Sequence, residues 1–196
     1  MKLILASGSQ RRRELMQMCG YEFDIVVSDA DENIAESNPR ELVMKLAEIK
    51  ARAVSEKITR QNAEENFAVV GSDTVVAFEG EIIGKPTDKK DAAEILRKLS
   101  GKTHTVYTGV AVLTEGNVQL DCSTTDVTFA TLSDDEIKKY IESGEPMDKA
   151  GAYGIQGPFG MFVEKINGNY FTVIGMPLPI LYSMLKKIGI LPKDFR

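Results

Sequence analysis

A mixed α/β fold is the reading this chain supports, on three observations. β-rich runs fold back at Glu79-Gly80 and at Glu115-Gly116-Asn117, both hairpin signals. Asn38-Pro39-Arg40-Glu41 and Ser133-Asp134-Asp135-Glu136 each read as a helix start closed by a capping box. Helices and hairpins also alternate along the chain instead of segregating, which predicts a sheet of mixed strand order flanked by helices.

In chain order, Leu3-Ile4-Leu5-Ala6 comes first, a short apolar run that reads as a buried strand. From Arg11 to Cys19, Leu15, Met16 and Cys19 recur at helical spacing, so residues 7–10 are a strand-to-helix turn. Asn38 caps a long helix reaching about Ile58, with its apolar stripe at Leu42, Val43, Leu46, Ile49, Ala53 and Val54. Phe67 to Phe78 pairs with Glu81-Ile82-Ile83, a helix spans Asp88 to Leu99, and a second hairpin joins Thr105–Leu113 to Val118–Phe129. Ser133 opens a helix ending near Gly144. Strands are expected at Met161–Ile166 and Tyr170–Ile174 around Asn167-Gly168, and a closing helix at Pro179–Ile188.

With 196 residues, 43% hydrophobic and 27% charged, the chain suffices for one sizeable core, or for two lobes sharing one sheet, within a single domain over 1–196. A net charge of −5 argues against bulk nucleic-acid binding, which needs a basic surface to displace counterions; a nucleotide needs only a local basic pocket. Cys19 and Cys122 are too few for a disulfide framework and read as buried thiols in a reducing compartment. The start has no charged leader before a long apolar stretch, and no apolar run approaches membrane-spanning length. The expectation is a cytoplasmic protein without a membrane partner.

Two sets of like charge carry the functional signal. Arg11, Arg12 and Arg13 follow the Ser7-Gly8-Ser9 turn, where free backbone N–H groups and the positive end of a helix favour an anion. Three consecutive arginines cannot share one helix face, so one or two can reach a ligand. The bland alternative makes Ser9 only an N-cap and the arginines a solvated face. Glu32, with Asp31 beside it, and Asp73 supply the acidic set. Asp73 interrupts the apolar run Val69-Val70-Gly71-Ser72-Asp73-Thr74-Val75-Val76, where an unpaired carboxylate is costly, so a cation or strong donor is expected next to it. Together the two sets describe a site for a metal-bound phosphate chain.

Three further segments stand out. Lys85 is fixed between Gly84 and Pro86, and Lys50 lies among alanines on the long helix, where an exposed lysine is the default. Asp148 to Gly157 packs three glycines and two alanines into a tight, shaped loop around Gln156. The Gln156 amide can donate and accept at once, which suits the edge of a nucleobase. Tyr153 could stack on a base, but core packing is favoured. His104, the sole histidine, is assigned to structure.

The chain resembles the Maf family of nucleoside triphosphate pyrophosphatases over nearly its full length. The resemblance is carried by Leu5-Ala6-Ser7-Gly8-Ser9-Gln10-Arg11-Arg12-Arg13-Glu14-Leu15, Asp29-Ala30-Asp31-Glu32, Glu48-Ile49-Lys50-Ala51 and Gly71-Ser72-Asp73-Thr74-Val75-Val76. It continues through Gly84-Lys85-Pro86, Leu99-Ser100-Gly101-Lys102-Thr103-His104, Asp148 to Gly157 and Ile174-Gly175-Met176-Pro177-Leu178. It implies an elongated twisted sheet in two lobes around a deep cleft, like inosine triphosphatases, and a homodimer. It also implies cleavage between the α and β phosphates, giving monophosphate and pyrophosphate with Mg²⁺ or Mn²⁺. Asp73 would be the proton acceptor, with Ser9, Arg12, Arg13, Lys50 and Lys85 at the phosphates, and Glu32 and Asp73 at the metal. Arg12, Thr74 and Gln156 match the subgroup acting on dTTP and UTP, with modified pyrimidine nucleotides as further candidates in a house-cleaning role. The sequence departs from the pattern at Gln10, normally proline, and at Phe171-Thr172, normally small and amide residues.

Two other classes stay open. A division-regulating partner protein, in keeping with septum inhibition in the family, would use the arginines for docking. A phosphate-ester hydrolase would use the same charged groups without selecting a base.

Overall fold

The computed structural model describes residues 1–61 and 66–195. Its elements are β1 (Lys2–Leu5), α1 (Gln10–Met18), β2 (Asp24–Ile25), α2 (Pro39–Gln61), β3 (Phe67–Phe78), β4 (Glu81–Ile83), α3 (Lys89–Leu99), β5 (Thr103–Thr114), β6 (Asn117–Phe129), α4 (Asp134–Glu142), β7 (Val163–Gly168), α5 (Tyr170–Ile174) and α6 (Leu178–Lys187). Seven strands form one mixed sheet in the order β2-β1-β3-β5-β6-β7, with β4 added to β3. β1 runs parallel to both β2 and β3, whereas β3 with β4 and β6 with β7 are antiparallel.

The chain divides into two compact units. The first comprises Met1–Asp73, Thr108–Ser123 and Gly175–Arg196. Its core packs α2 onto the sheet through Ala47, Ala51, Val54 and Ile58 against Ile4, Val69 and Ala111. Two strand glycines permit this closeness. A Cβ on Gly71 would lie 2.1 Å from the Ala47 carbonyl oxygen, and one on Gly109 would lie 2.3 Å from that of Val43. The helix backbone therefore rests directly on β3 and β5.

The second unit comprises Thr74–Tyr107 and Thr124–Ile174. Its core joins Val76, Val106 and Val127 from the sheet, Leu96 and Leu99 from α3, Ile137 and Ile141 from α4, and an aromatic group of Phe129, Tyr140, Tyr153 and Phe159. The amphipathic spacing of α3 and α4 thus finds its apolar partner.

Helix starts are local chemistry, and those of α1 and α4 match the sequence reading. Ser9, Asp88 and Ser133 cap α1, α3 and α4, and Ser133 with Glu136 forms the full reciprocal box. At α2, Asn38 Oδ1 accepts from the Arg40 and Glu41 N–H groups, but the Asn38 N–H donates to Glu36 Oε1 (3.0 Å), so the box expected from Glu41 is replaced by an upstream carboxylate. Tyr170–Ile174 is a short helix instead of the expected strand. Asn169 Oδ1 accepts from the Phe171 N–H (2.9 Å), and Thr125 Oγ1 both donates to the Asn169 carbonyl and accepts from its N–H, each at 2.9 Å. The side chain of a turn residue thereby starts a helical turn and overrides the β-propensity of the five residues after it. Cys122 is buried as expected, whereas Cys19, at the end of α1, is only half-buried.

Candidate active site

In the first unit the functional side chains begin at the turn between β1 and α1. Ser7 Oγ accepts from the Ser9 N–H (3.2 Å), and Ser9 Oγ accepts from the Arg12 N–H (3.5 Å), so the turn is held by its own hydroxyls. Arg12 points inward. Its Nε donates to the Gly175 carbonyl (2.8 Å) and its Nη1 to Ser7 Oγ (3.3 Å). Burial pulls the Arg12 pKa below its ordinary value, with neighbouring Arg11 adding to that effect and Asp73 and Glu32 opposing it. The guanidinium nonetheless stays charged, as arginine does in proteins. Arg13 takes another direction: its Nη2 donates to Gln10 Oε1, whose own amide nitrogen donates to Glu14 Oε1 (2.7 Å). Gln10 therefore serves α1 through its side chain.

Lys50 is the centre of the acidic set. It is 8% exposed and sits on the apolar stripe of α2 with Ala47, Ala51 and Val54. Its Nζ lies 2.5 Å from Asp73 Oδ1 and 2.9 Å from Glu32 Oε2. Burying an ammonium without partners would be prohibitive, and the two carboxylates supply the compensation. The cation expected beside Asp73 is thus Lys50, brought there because Gly71 lets α2 approach β3. Asp31, by contrast, closes a local turn by accepting from the Asn33 N–H (2.9 Å).

Sequence reasoning missed two supports. The fully buried Ser72 hydroxyl lies 2.9 Å from the Gly109 carbonyl and 3.0 Å from that of Gly175, the same carbonyl that receives Arg12. A backbone carbonyl leaves no trace in residue identity, so the Gly175 contact has no sequence signal. The hydroxyl next to Asp73 was a signal, since a buried hydroxyl must find a partner.

In the second unit, Thr74 is half-buried on β3, while Lys85 and Gln156 are exposed. The segments carrying the last two are joined, because the Gly151 N–H donates to the Gly84 carbonyl (3.0 Å).

The donor set also bears on a divalent cation. Among the described residues no group of three or more His, Cys, Asp and Glu side chains is arranged to hold one. Two carboxylates drawn to a single cationic centre, Glu32 and Asp73, are instead the hard-oxygen pair that magnesium uses when substrate phosphates complete its shell. The residues present fit such an ion. Among the described residues no helix is long and apolar enough to cross a membrane.

Comparison with known proteins bears on the chain as a whole. The structure of the Staphylococcus aureus Ham1 protein superposes with a TM-score of 0.53 over 96% of this chain and 100% of that one, at 11% identity, a likeness of fold alone. A dTTP/UTP pyrophosphatase of Clostridium botulinum (strain Kyoto / Type A2) is 50% identical over 192 residues, covering 96% of this chain and 97% of its own. One from Bacillus anthracis (strain CDC 684 / NRRL 3495) is 46% identical over 190 residues, covering 96% of each. The family described as Maf-like protein matches residues 2–188. The family match and these relatives each cover nearly the whole chain, and the chain belongs to the Maf-like protein family.

Proposed function

We propose that this protein is a dTTP/UTP pyrophosphatase, hydrolysing a pyrimidine nucleoside triphosphate to its monophosphate and pyrophosphate. The observation that carries the reading is the buried Lys50 ammonium bridging Asp73 and Glu32 beside Arg12, in a chain 50% identical to a protein of that name. A phosphoanhydride resists water because its negative charge repels a nucleophile, so a catalyst must neutralise the phosphates and take a proton from the water.

The roles follow from the chemistry of each group. Asp73 accepts the proton as water adds to the α-phosphorus and the bond to the bridging oxygen breaks, releasing pyrophosphate. Lys50 orients that carboxylate. Arg12, Lys85 and the N–H groups of the Ser9 turn offset phosphate charge, and Arg13 would join them only by leaving Gln10. Thr74 and Gln156 select the base, since a site whose amide is left unpaired by the wrong base rejects it. Glu32 and Asp73 would hold Mg²⁺ or Mn²⁺, which when bound makes water more acidic and screens phosphate charge. In this reading the whole chain, 1–196, acts as one catalytic domain, in the cytoplasm and as a homodimer.

The test is incubation with a panel of nucleoside triphosphates and Mg²⁺ or Mn²⁺, separating pyrophosphate from orthophosphate. Pyrophosphate released chiefly from dTTP and UTP is the expected result. Orthophosphate alone, or equal turnover of every base, overturns it.

A further inference from the structure

The loop that carries Gln156 is held in an unfavourable backbone shape. Gly151 has φ +72° and Ala152 φ +59°, two consecutive left-handed residues of which the second bears a side chain and is fully buried. Such a conformation persists only where the surroundings over-determine it. The anchors in the second unit are the Gly151 N–H on the Gly84 carbonyl (3.0 Å), the Gly154 N–H on the Tyr140 hydroxyl (3.1 Å) and the Tyr153 hydroxyl on His104 Nε2 (2.9 Å). Gln156, exposed, lies three residues beyond Tyr153.

His104 is an expensive way to fill this space. It is 2% exposed, and its Nδ1 is buried without a hydrogen-bond partner among the described residues. Its ring meets Phe129 edge-on at 4.7 Å and Tyr153 at 5.3 Å, contacts a phenylalanine could make without an unpaired nitrogen. What only the imidazole provides here is the bond from Nε2 to the Tyr153 hydroxyl.

We infer that His104 is a positioning residue for base selection, acting through Tyr153 to fix the loop that presents Gln156. The inference rests on the reading that Gln156 contacts the base. With the bond gone, the strained segment loses one of its anchors, and Gln156 samples positions that suit no particular base.

The experiment compares kcat and KM for UTP and CTP in the full-length protein and in Tyr153→Phe, His104→Phe and Gln156→Ala. Tyr153→Phe removes one hydroxyl and keeps the ring packing, so it covers the case in which His104→Phe fails to fold. The expected result is a fall of about tenfold in the UTP-over-CTP ratio of kcat/KM for Tyr153→Phe, the order of one lost hydrogen bond, carried by a higher KM for UTP at nearly constant kcat. If Gln156→Ala collapses the ratio while Tyr153→Phe preserves it, or lowers only kcat and melting temperature, the positioning role is overturned and the base-reading role stands. If Gln156→Ala itself leaves the ratio intact, both fall.

Discussion

Asp73 and His104 show how one side chain's surroundings set its chemistry. Asp73 is nearly enclosed on β3 and meets Lys50 Nζ at 2.5 Å, which fixes one carboxylate oxygen. Asp73→Asn keeps the shape and removes the carboxylate proposed to accept the proton. Pyrophosphate release is expected to fall by about 10²- to 10⁴-fold, with a lower melting temperature as well because the buried Lys50 then keeps only Glu32 as its carboxylate partner. Full turnover in that variant would take Asp73 out of the reaction. His104 has a different consequence, in acid. Burial lowers its pKa from 6.5 to about 4, and Asp126 on neighbouring β6 opposes the shift. The unfolded chain gains this proton below pH 6.5 and the folded chain only below about 4. The stability it contributes is therefore intact above pH 6.5 and drains away as pH falls toward 4, by about 3 kcal/mol. Urea titrations at pH 7 and pH 4 should show a larger loss in the native protein than in His104→Phe, and equal losses would refute the assignment.

At the level of elements, the decisive contact is a helix lying on a strand. Lys50 reaches Asp73 because α2 approaches β3 at Gly71, where a methyl would stand 2.1 Å from the Ala47 carbonyl oxygen. Gly71→Ala forces the helix away, at a cost of about 1 to 3 kcal/mol by overpacking. Chemical denaturation should register that loss, and turnover should drop with it because Lys50 leaves its carboxylates. A variant as stable and active as the native protein would contradict the packing. Elements differ in how far they are written locally. The caps at Ser9 and Ser133 are legible because the acceptor and its N–H donors lie within three residues. Tyr170–Ile174 reads as a strand from its β-branched and aromatic residues, while the outcome depends on Thr125, 44 residues away, gripping Asn169.

Over the whole molecule, the mixed α/β class was legible and the strand order was not. Hairpin partners sit next to each other in sequence, but β1 pairs in parallel with β3 through Lys2 opposite Phe67, a match that no short motif announces. The first unit gathers three separate stretches of chain for the same reason. The candidate site divides likewise. Asp73 advertised itself as a charge in an apolar run and Arg12 as part of a basic triplet, whereas the burial of Lys50 was hinted at only by the alanines around it, and the Gly175 carbonyl not at all.

The two ends of the strand order have a consequence for solubility. β2 is only two residues long and ties Asp24 to Lys2 (2.9 Å), while β7 exposes Glu164 and Lys165 in adjacent positions. An unpaired rim of peptide groups invites a foreign chain to dock and seed fibrils, and brevity at one margin with charges at the other discourages it. Crowded copies of this protein are thereby kept from zipping together along their margins.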